Sequence, residues 1–304
     1  MKLEHVIESQ QFTVPFLMSL FDRARQMERL VARGGTRDYS GRIMASLFYE
    51  PSTRTRFSFE AAMYRLGGRV LSTEQARKFS SEIEGEQLED TIRIISSFCD
   101  VIVLRPTEEG GARRAARVSR VPVINAGDGS SGQHPTQALV DLYTIYRERR
   151  TLDGLTIAIV GELDGGRTAR SLAYLLSKFP RVKIHFVRPP EVQMRPDILA
   201  HLDEHDVWYD VRHDVTPIAG DVDVIYQTRI RPERVSDRAS LSRYAINARL
   251  LRTMKPDAMI LHPLPRTVEI DKDVDDDPRA LYFQQAANSL FVRMALLTLL
   301  WDRE

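Results

Sequence analysis

Short apolar runs that end abruptly in polar motifs recur along the 304-residue chain, and they limit what it can fold into. Ile43 to Tyr49, Val101–Leu104, Val121–Asn125, Thr156–Gly161, Lys183–Val187, Val222–Gln227 and Ala258–Leu261 each read as a buried strand. Between them lie helical patterns. Leu17, Leu20, Phe21, Ala24, Met27 and Val31 share one face, and Gly34-Gly35 stops that helix. Ser52 and Thr53 are N-cap residues for a helix to Leu66, closed by Gly67-Gly68. Further helices are expected at Gln87–Phe98, Pro135–Arg149, Arg167–Phe179 and Ala286 to Trp301. Strands alternating with helices predict an α/β fold, with doubly wound parallel sheets covered on both faces. At roughly 150 residues per domain the length allows two. Charge and glycine replace the apolar pattern near Arg149–Gly154, so a first domain is expected over 1–149 and a second over 150–285. The apolar helix in 286–304 is expected to pack back on the first.

Composition narrows the function. With 43 basic against 42 acidic residues the net charge is +1, which argues against a duplex nucleic-acid surface or an acidic tail. Of the 43 basic residues 37 are Arg, whose planar fork suits phosphate and carboxylate; codon bias in a GC-rich genome is the plain alternative. Cys99 is the only cysteine, which excludes an intramolecular disulfide and any Cys-based structural zinc. Glu4, His5 and Glu8 stand where a signal peptide would need an apolar core, and no apolar stretch approaches a membrane span. A soluble, cytoplasmic protein with no membrane partner is the expectation.

The polar motifs fall at strand carboxyl ends, where open α/β sheets bind ligands. Ser52-Thr53-Arg54-Thr55-Arg56 follows a strand and opens a helix. Free N–H groups, the helix dipole, three hydroxyls and a guanidinium together make a phosphate cradle without a Gly-rich loop. The bland reading is an ordinary N-cap with a basic face. Arg105 alone is a solvated strand end, and it gains meaning only beside that cradle. In Gln133-His134-Pro135-Thr136-Gln137, His134 could donate to a carbonyl and Gln137 shares its side; a capping histidine competes. No second His, Cys or carboxylate sits there at ligand spacing, so no metal is expected. The glycines of Gly161-Glu162-Leu163-Asp164-Gly165-Gly166-Arg167 do not fit a dinucleotide fingerprint. Arg167, Arg229 and Arg231 read instead as carboxylate clamps, with a solvated basic loop the alternative for Arg231. In His262-Pro263-Leu264-Pro265-Arg266 two prolines remove two N–H donors, leaving carbonyls for a substrate amine.

Together these residues resemble the aspartate/ornithine carbamoyltransferase family, in its aspartate branch, over almost the whole chain. The likeness rests on Phe48-Tyr49-Glu50-Pro51-Ser52-Thr53-Arg54-Thr55-Arg56, Asn125-Ala126-Gly127-Asp128-Gly129, His134-Pro135-Thr136-Gln137, Gly166-Arg167-Thr168, Thr228-Arg229, His262-Pro263-Leu264-Pro265-Arg266 and Tyr282-Phe283-Gln284-Gln285, in that order. Ornithine enzymes carry a Cys where Pro263 stands. The resemblance implies two α/β domains with the active site between them, in a homotrimer whose sites are shared by subunits. It implies transfer of the carbamoyl group of carbamoyl phosphate to L-aspartate, as in pyrimidine biosynthesis, without a cofactor. It leaves open whether a regulatory chain binds. Ser52, Thr53, Arg54, Thr55 and Arg105 would hold the phosphate, and His134 and Gln137 the carbamoyl group. Arg167, Arg229 and Arg231 would face the acceptor, whose amine the Leu264 and Pro265 carbonyls would orient. A loop from the neighbouring subunit, with Ser80, Ser81 and residue 84, would enter the site. Two positions depart from the family: Glu84 replaces a Lys before Gly-Glu, and Arg231 replaces a Gln. They raise two alternatives, a different amino-acid acceptor or a non-catalytic paralogue.

Overall fold

The computed structural model describes residues 3–74, 85–129, 131–231, 233, 235 and 238–302. The expected loop residues Ser80, Ser81 and Glu84 lie outside them. Along the chain run α1 (Val14–Ala32), β1 (Ile43–Phe48), α2 (Thr53–Arg65), β2 (Arg69–Glu74), α3 (Leu88–Ile95), β3 (Val101–Arg105), α4 (Gly111–Val118), β4 (Val123–Asn125) and α5 (Pro135–Arg149). Then come β5 (Thr156–Val160), α6 (Arg167–Leu176), β6 (Lys183–Val187), α7 (Pro196–Glu204), β7 (Trp208–Arg212), β8 (Val224–Gln227), α8 (Ala248–Leu251), β9 (Met259–Leu261) and α9 (Tyr282–Trp301). They form two compact units, Met1–Leu139 with Asn288–Glu304, and Val140–Ala287. Both divisions fall inside helices, α5 and α9.

The first unit holds a parallel sheet in the order β2-β1-β3-β4. Val101, Ile102, Val103 and Leu104 of β3 are fully buried; removing each from water contributes about 1.5–3 kcal/mol. β4 starts two residues later than the apolar pattern suggests, because Pro122 has no N–H for the ladder. The last helix returns here: Arg293 Nη1 donates to the Thr55 carbonyl at 3.3 Å, and Trp301 Nε1 to the Asp100 carbonyl at 3.4 Å.

The second unit holds a parallel sheet in the order β7-β6-β5-β8-β9. Ala158, Val160, Ile225 and Ile260 pack on Tyr244, Ile246 and Tyr282 in its core. Two strands escape the apolar pattern, β2 and β7. Both are sheet edges with half-exposed side chains, so they carry no buried run.

Each sheet reverses its strand order once. In the first unit the chain moves from β1 out to β2, then back to β3 on the other side; in the second it runs β5-β6-β7, then places β8 beside β5. The carboxyl ends of β1 and β3, and of β5 and β8, are therefore the two switch points where ligands bind in such sheets.

Candidate active site

At the first switch point β1 leads into α2 and β3 ends at Arg105, which pairs in register with Phe48. Ser52 is the N-cap of α2, yet its side chain makes no capping bond. Its hydroxyl instead meets Arg105 Nη1 at 3.3 Å. Arg105 also reaches Glu50 Oε2 at 3.4 Å through Nε and the Ala126 carbonyl at 3.5 Å through Nη1. Thr53 and Arg54 are exposed and Thr55 is buried. The Arg54 guanidinium has no hydrogen-bond or ion-pair partner among the described residues. Desolvation lowers its pKa below the ordinary arginine value, with no carboxylate to offset that. Arg56, by contrast, is structural: it bonds Glu74 Oε2 at 2.9 Å and lies 3.8 Å from Glu60 Oε1, tying α2 to β2.

Beneath the cradle α2 rests on an arginine. Arg293 is 2% exposed, donates to the Thr55 carbonyl, and stacks 4.6 Å from the Phe59 ring. In the sequence its signal is a lone cation inside the apolar run of α9. His134 is buried at the start of α5; its Nδ1 lies 3.3 Å from Thr136 Oγ1, and its carbonyl accepts from the Gln137 N–H at 3.0 Å. Asp128 is scaffolding: its carboxylate accepts from the Gly110 N–H at 2.8 Å and the Ala112 N–H at 3.2 Å, capping α4. Burial pushes the Asp128 carboxyl up, partly offset by those N–H bonds.

At the second switch point the Thr228 N–H and hydroxyl both donate to the Val160 carbonyl, at 2.7 and 2.8 Å. Gly161 has φ +130, and a Cβ there would meet Thr228 Oγ1 at 2.2 Å, so only glycine lets the strand ends come this close. Arg167 opens α6 from the β5 side. Arg229 is exposed after β8, and its guanidinium has no partner among the described residues.

Arg231, expected to face the acceptor, is instead bonded to Glu162. Its Nε and Nη2 donate to Glu162 Oε2 at 2.9 and 2.6 Å, and its backbone N–H donates to Oε1 at 2.5 Å. The Glu162 N–H in turn donates to the Arg229 carbonyl at 3.2 Å. The pair joins the two strand ends that carry Arg167 and Arg229.

The loop after β9 is held by a buried relay. Asp141 accepts from Tyr226 Oη at 2.8 Å and from Gln285 Nε2 at 2.6 Å. Gln285 Oε1 accepts from the His262 N–H at 2.8 Å. His262 Nδ1 accepts from the Leu264 N–H at 2.7 Å, which leaves Nε2–H to donate to Glu269 Oε1 at 3.0 Å. Burial alone would raise the Glu269 pKa; bonds from His262 and Thr267 outweigh it and hold the carboxyl below the ordinary glutamate range. Leu264 sits at φ 52, a left-handed conformation rare for leucine. Neither the Leu264 nor the Pro265 carbonyl accepts a hydrogen bond among the described residues.

Two parallel sheets, each with a guanidinium at its switch point that has no partner among the described residues, define a class of two-unit α/β protein built for anionic ligands. The family model for the carbamoyl-phosphate-binding domain of aspartate/ornithine carbamoyltransferases matches residues 4–147, and the one for their Asp/Orn-binding domain matches 153–300. The chain is 52% identical to the chloroplastic aspartate carbamoyltransferase of Oryza sativa subsp. japonica, over 99% of its own length and 85% of the relative's. The catalytic subunit of M. jannaschii aspartate transcarbamoylase superposes with a TM-score of 0.90 at 44% identity, covering 98% of each chain. Aspartate transcarbamoylase from Trypanosoma cruzi, solved with carbamoyl phosphate and aspartate, gives 0.91 at 37% identity, covering 97% of this chain and 95% of that one. The chain belongs to the aspartate/ornithine carbamoyltransferase family.

Proposed function

We propose that the protein transfers the carbamoyl group of carbamoyl phosphate to the amine of L-aspartate, giving N-carbamoyl-L-aspartate and phosphate. The observation that carries this is Arg54, a cation with no counter-ion among the described residues, at the start of α2, whose N-cap Ser52 is bonded by Arg105 at the switch point. An anion completes such a group. Family membership and relatives named for aspartate support the same reading.

Ser52, Thr53, Arg54, Thr55 and Arg105 hold the phosphate through hydroxyls, guanidiniums and free N–H groups of α2. His134 and Gln137 contact the carbamoyl group. Arg167 and Arg229 hold the two carboxylates of aspartate, and the open Leu264 and Pro265 carbonyls orient its amine. The neutral amine attacks the carbamoyl carbon, forming the C–N bond. The C–O bond to phosphate then breaks, phosphate leaves with the electron pair, and the amine proton passes to phosphate or solvent. Positioning and fixed positive charge supply the rate. Arg231 acts through Glu162, bracing the two strand ends rather than touching substrate.

The working form is a homotrimer, with Ser80, Ser81 and Glu84 entering a neighbour's site. Support comes from Phe57, Tyr64 and Leu71, large apolar side chains left exposed on α2 and β2. Among the described residues no helix is long and apolar enough to cross a membrane. The test is a colorimetric assay of ureido product over a panel of amino acids with carbamoyl phosphate. Product with aspartate above all others is expected; product only with another amino acid, or none, overturns the reading.

A further inference from the structure

Among the described residues, carbamoyl transfer leaves a cluster of donor groups unused at the carboxyl end of α7. His201 and His205 lie one turn apart, and with Glu204 each offers a ligand atom within 4.8 Å of the others. Their rings lie 4.0 Å apart between centroids.

The hydrogen bonds around the pair fix which nitrogens are available. His205 Nδ1 lies 2.8 Å from the His201 carbonyl, which only accepts, so Nδ1 carries the proton and Nε2 keeps its lone pair. The Ser177 hydroxyl has a single hydrogen, given to the Tyr174 carbonyl at 2.9 Å. It therefore accepts from His201 Nε2–H, also at 2.9 Å, and His201 Nδ1 keeps its lone pair. Each imidazole thus donates its one N–H to an oxygen and presents the other nitrogen, as metal-ligating histidines do. The Glu204 carboxylate is exposed and has no partner among the described residues. The cluster also sits at the negative end of a nine-residue helix, which favours a cation. Lys178 is the opposing charge nearby, and Glu204 offsets it.

We propose that His201, Glu204 and His205 form a surface site for a divalent transition-metal ion. Two imidazoles and one carboxylate make a donor set that suits zinc, with a fourth position left to water. The ion would clamp the end of α7 and brace the second unit, away from the carbamoyl-transfer chemistry.

The test uses the full chain, stripped with chelator and titrated calorimetrically with zinc chloride. One zinc ion per chain in the micromolar range is expected, with a thermal midpoint about 5–10 °C higher at a hundredfold excess over the dissociation constant. The His201→Gln/His205→Gln double variant should lose at least most of that affinity, and Glu204→Gln a smaller part. Cobalt(II) added to the unaltered protein should give ligand-field absorption bands of a low-coordinate nitrogen and oxygen site, a readout independent of any variant. No zinc bound at millimolar concentration, or a double variant that binds as tightly as the parent, overturns the proposal.

Discussion

Among the described residues Arg54 and Arg229 have no counter-ion, whereas Arg105 and Arg231 lean on Glu50 and Glu162, and substitution should separate the two kinds. Arg54→Ala breaks no bond in the free protein, so its thermal midpoint should match the parent's. Turnover should fall roughly 100- to 1000-fold, as when a charge-stabilising donor is removed elsewhere, and carbamoyl phosphate should saturate less readily. Near-normal steady-state kinetics would displace the cradle from α2. Arg231→Ala should behave in the opposite way. Glu162 is 10% exposed at its side chain and would lose the Arg231 fork, while Arg231 is 43% exposed, so about 1–3 kcal/mol of stability is at stake. Denaturant unfolding measures that loss; the aspartate KM should rise with it, and Glu162→Ala should give the same pattern because the two act as one brace. The Ser52–Arg56 motif stands out in the sequence because its residues are consecutive and follow an apolar run. The brace does not, since nothing in the sequence brings residue 162 to residue 231 until β5 and β8 pair.

At the level of elements, the loop after β9 depends on a relay that crosses α5, β8, α9 and the loop itself. His262→Ala removes the acceptor of the Leu264 N–H, freeing a backbone held in the left-handed region. Aspartate KM should rise about tenfold, the equivalent of one good hydrogen bond, while carbamoyl phosphate KM stays at its parent value. A rise in both would mean a general loss of structure instead. The Glu269 end of the relay carries a pH signature. Its carboxyl is held below the ordinary glutamate value of 4.5, so it stabilises the fold fully above pH 4.5, and that contribution is lost as pH falls through the lower folded value. The thermal-midpoint gap between the parent and Glu269→Gln should be constant above pH 4.5 and close below it. A gap that widens in acid would reverse the sign. Central strands β1, β3, β5 and β6 were readable as apolar runs because both their faces are covered. β2 and β7 were not, because their side chains are exposed or half-buried along the whole strand, whereas the other two edges, β4 and β9, are buried throughout. The short α4 and α7 were missed for a related reason: α4 is rich in arginine and α7 is only nine residues long. The His201 and His205 spacing was visible in the sequence, but without α7 it had no face to share.

For the whole molecule the decisive question is what covers α2 and β2. Phe57 and Tyr64 lie seven residues apart on α2 and are 54% and 61% exposed, and Leu71 on the open edge β2 is 50% exposed. A net charge of only +1 gives little repulsion to keep such surfaces apart. These faces favour self-association, and sedimentation at micromolar concentration is expected to find the proposed trimer; Phe57→Ser with Tyr64→Ser should shift it toward monomer with loss of activity. A fully active monomeric parent would exclude shared sites. If the sites are shared, Glu84 of one subunit enters a neighbour's pocket beside two anionic substrates, where two like unit charges at ~4 Å repel by about 4 kcal/mol at an effective dielectric near 20. Arg231 is not available to neutralise it, because its guanidinium is already forked onto Glu162. The loop's own Arg77 and Lys78 are the remaining cations close in sequence. Glu84→Lys restores the residue usual in the family and replaces repulsion by attraction at the same place. Aspartate turnover should rise, most at low ionic strength where screening is weakest, and the gain should shrink as salt is added. A Glu84→Lys variant indistinguishable from the parent at every salt concentration would mean that the loop does not reach the site, and a fall in aspartate turnover would mean that Glu84 is itself part of the acceptor pocket.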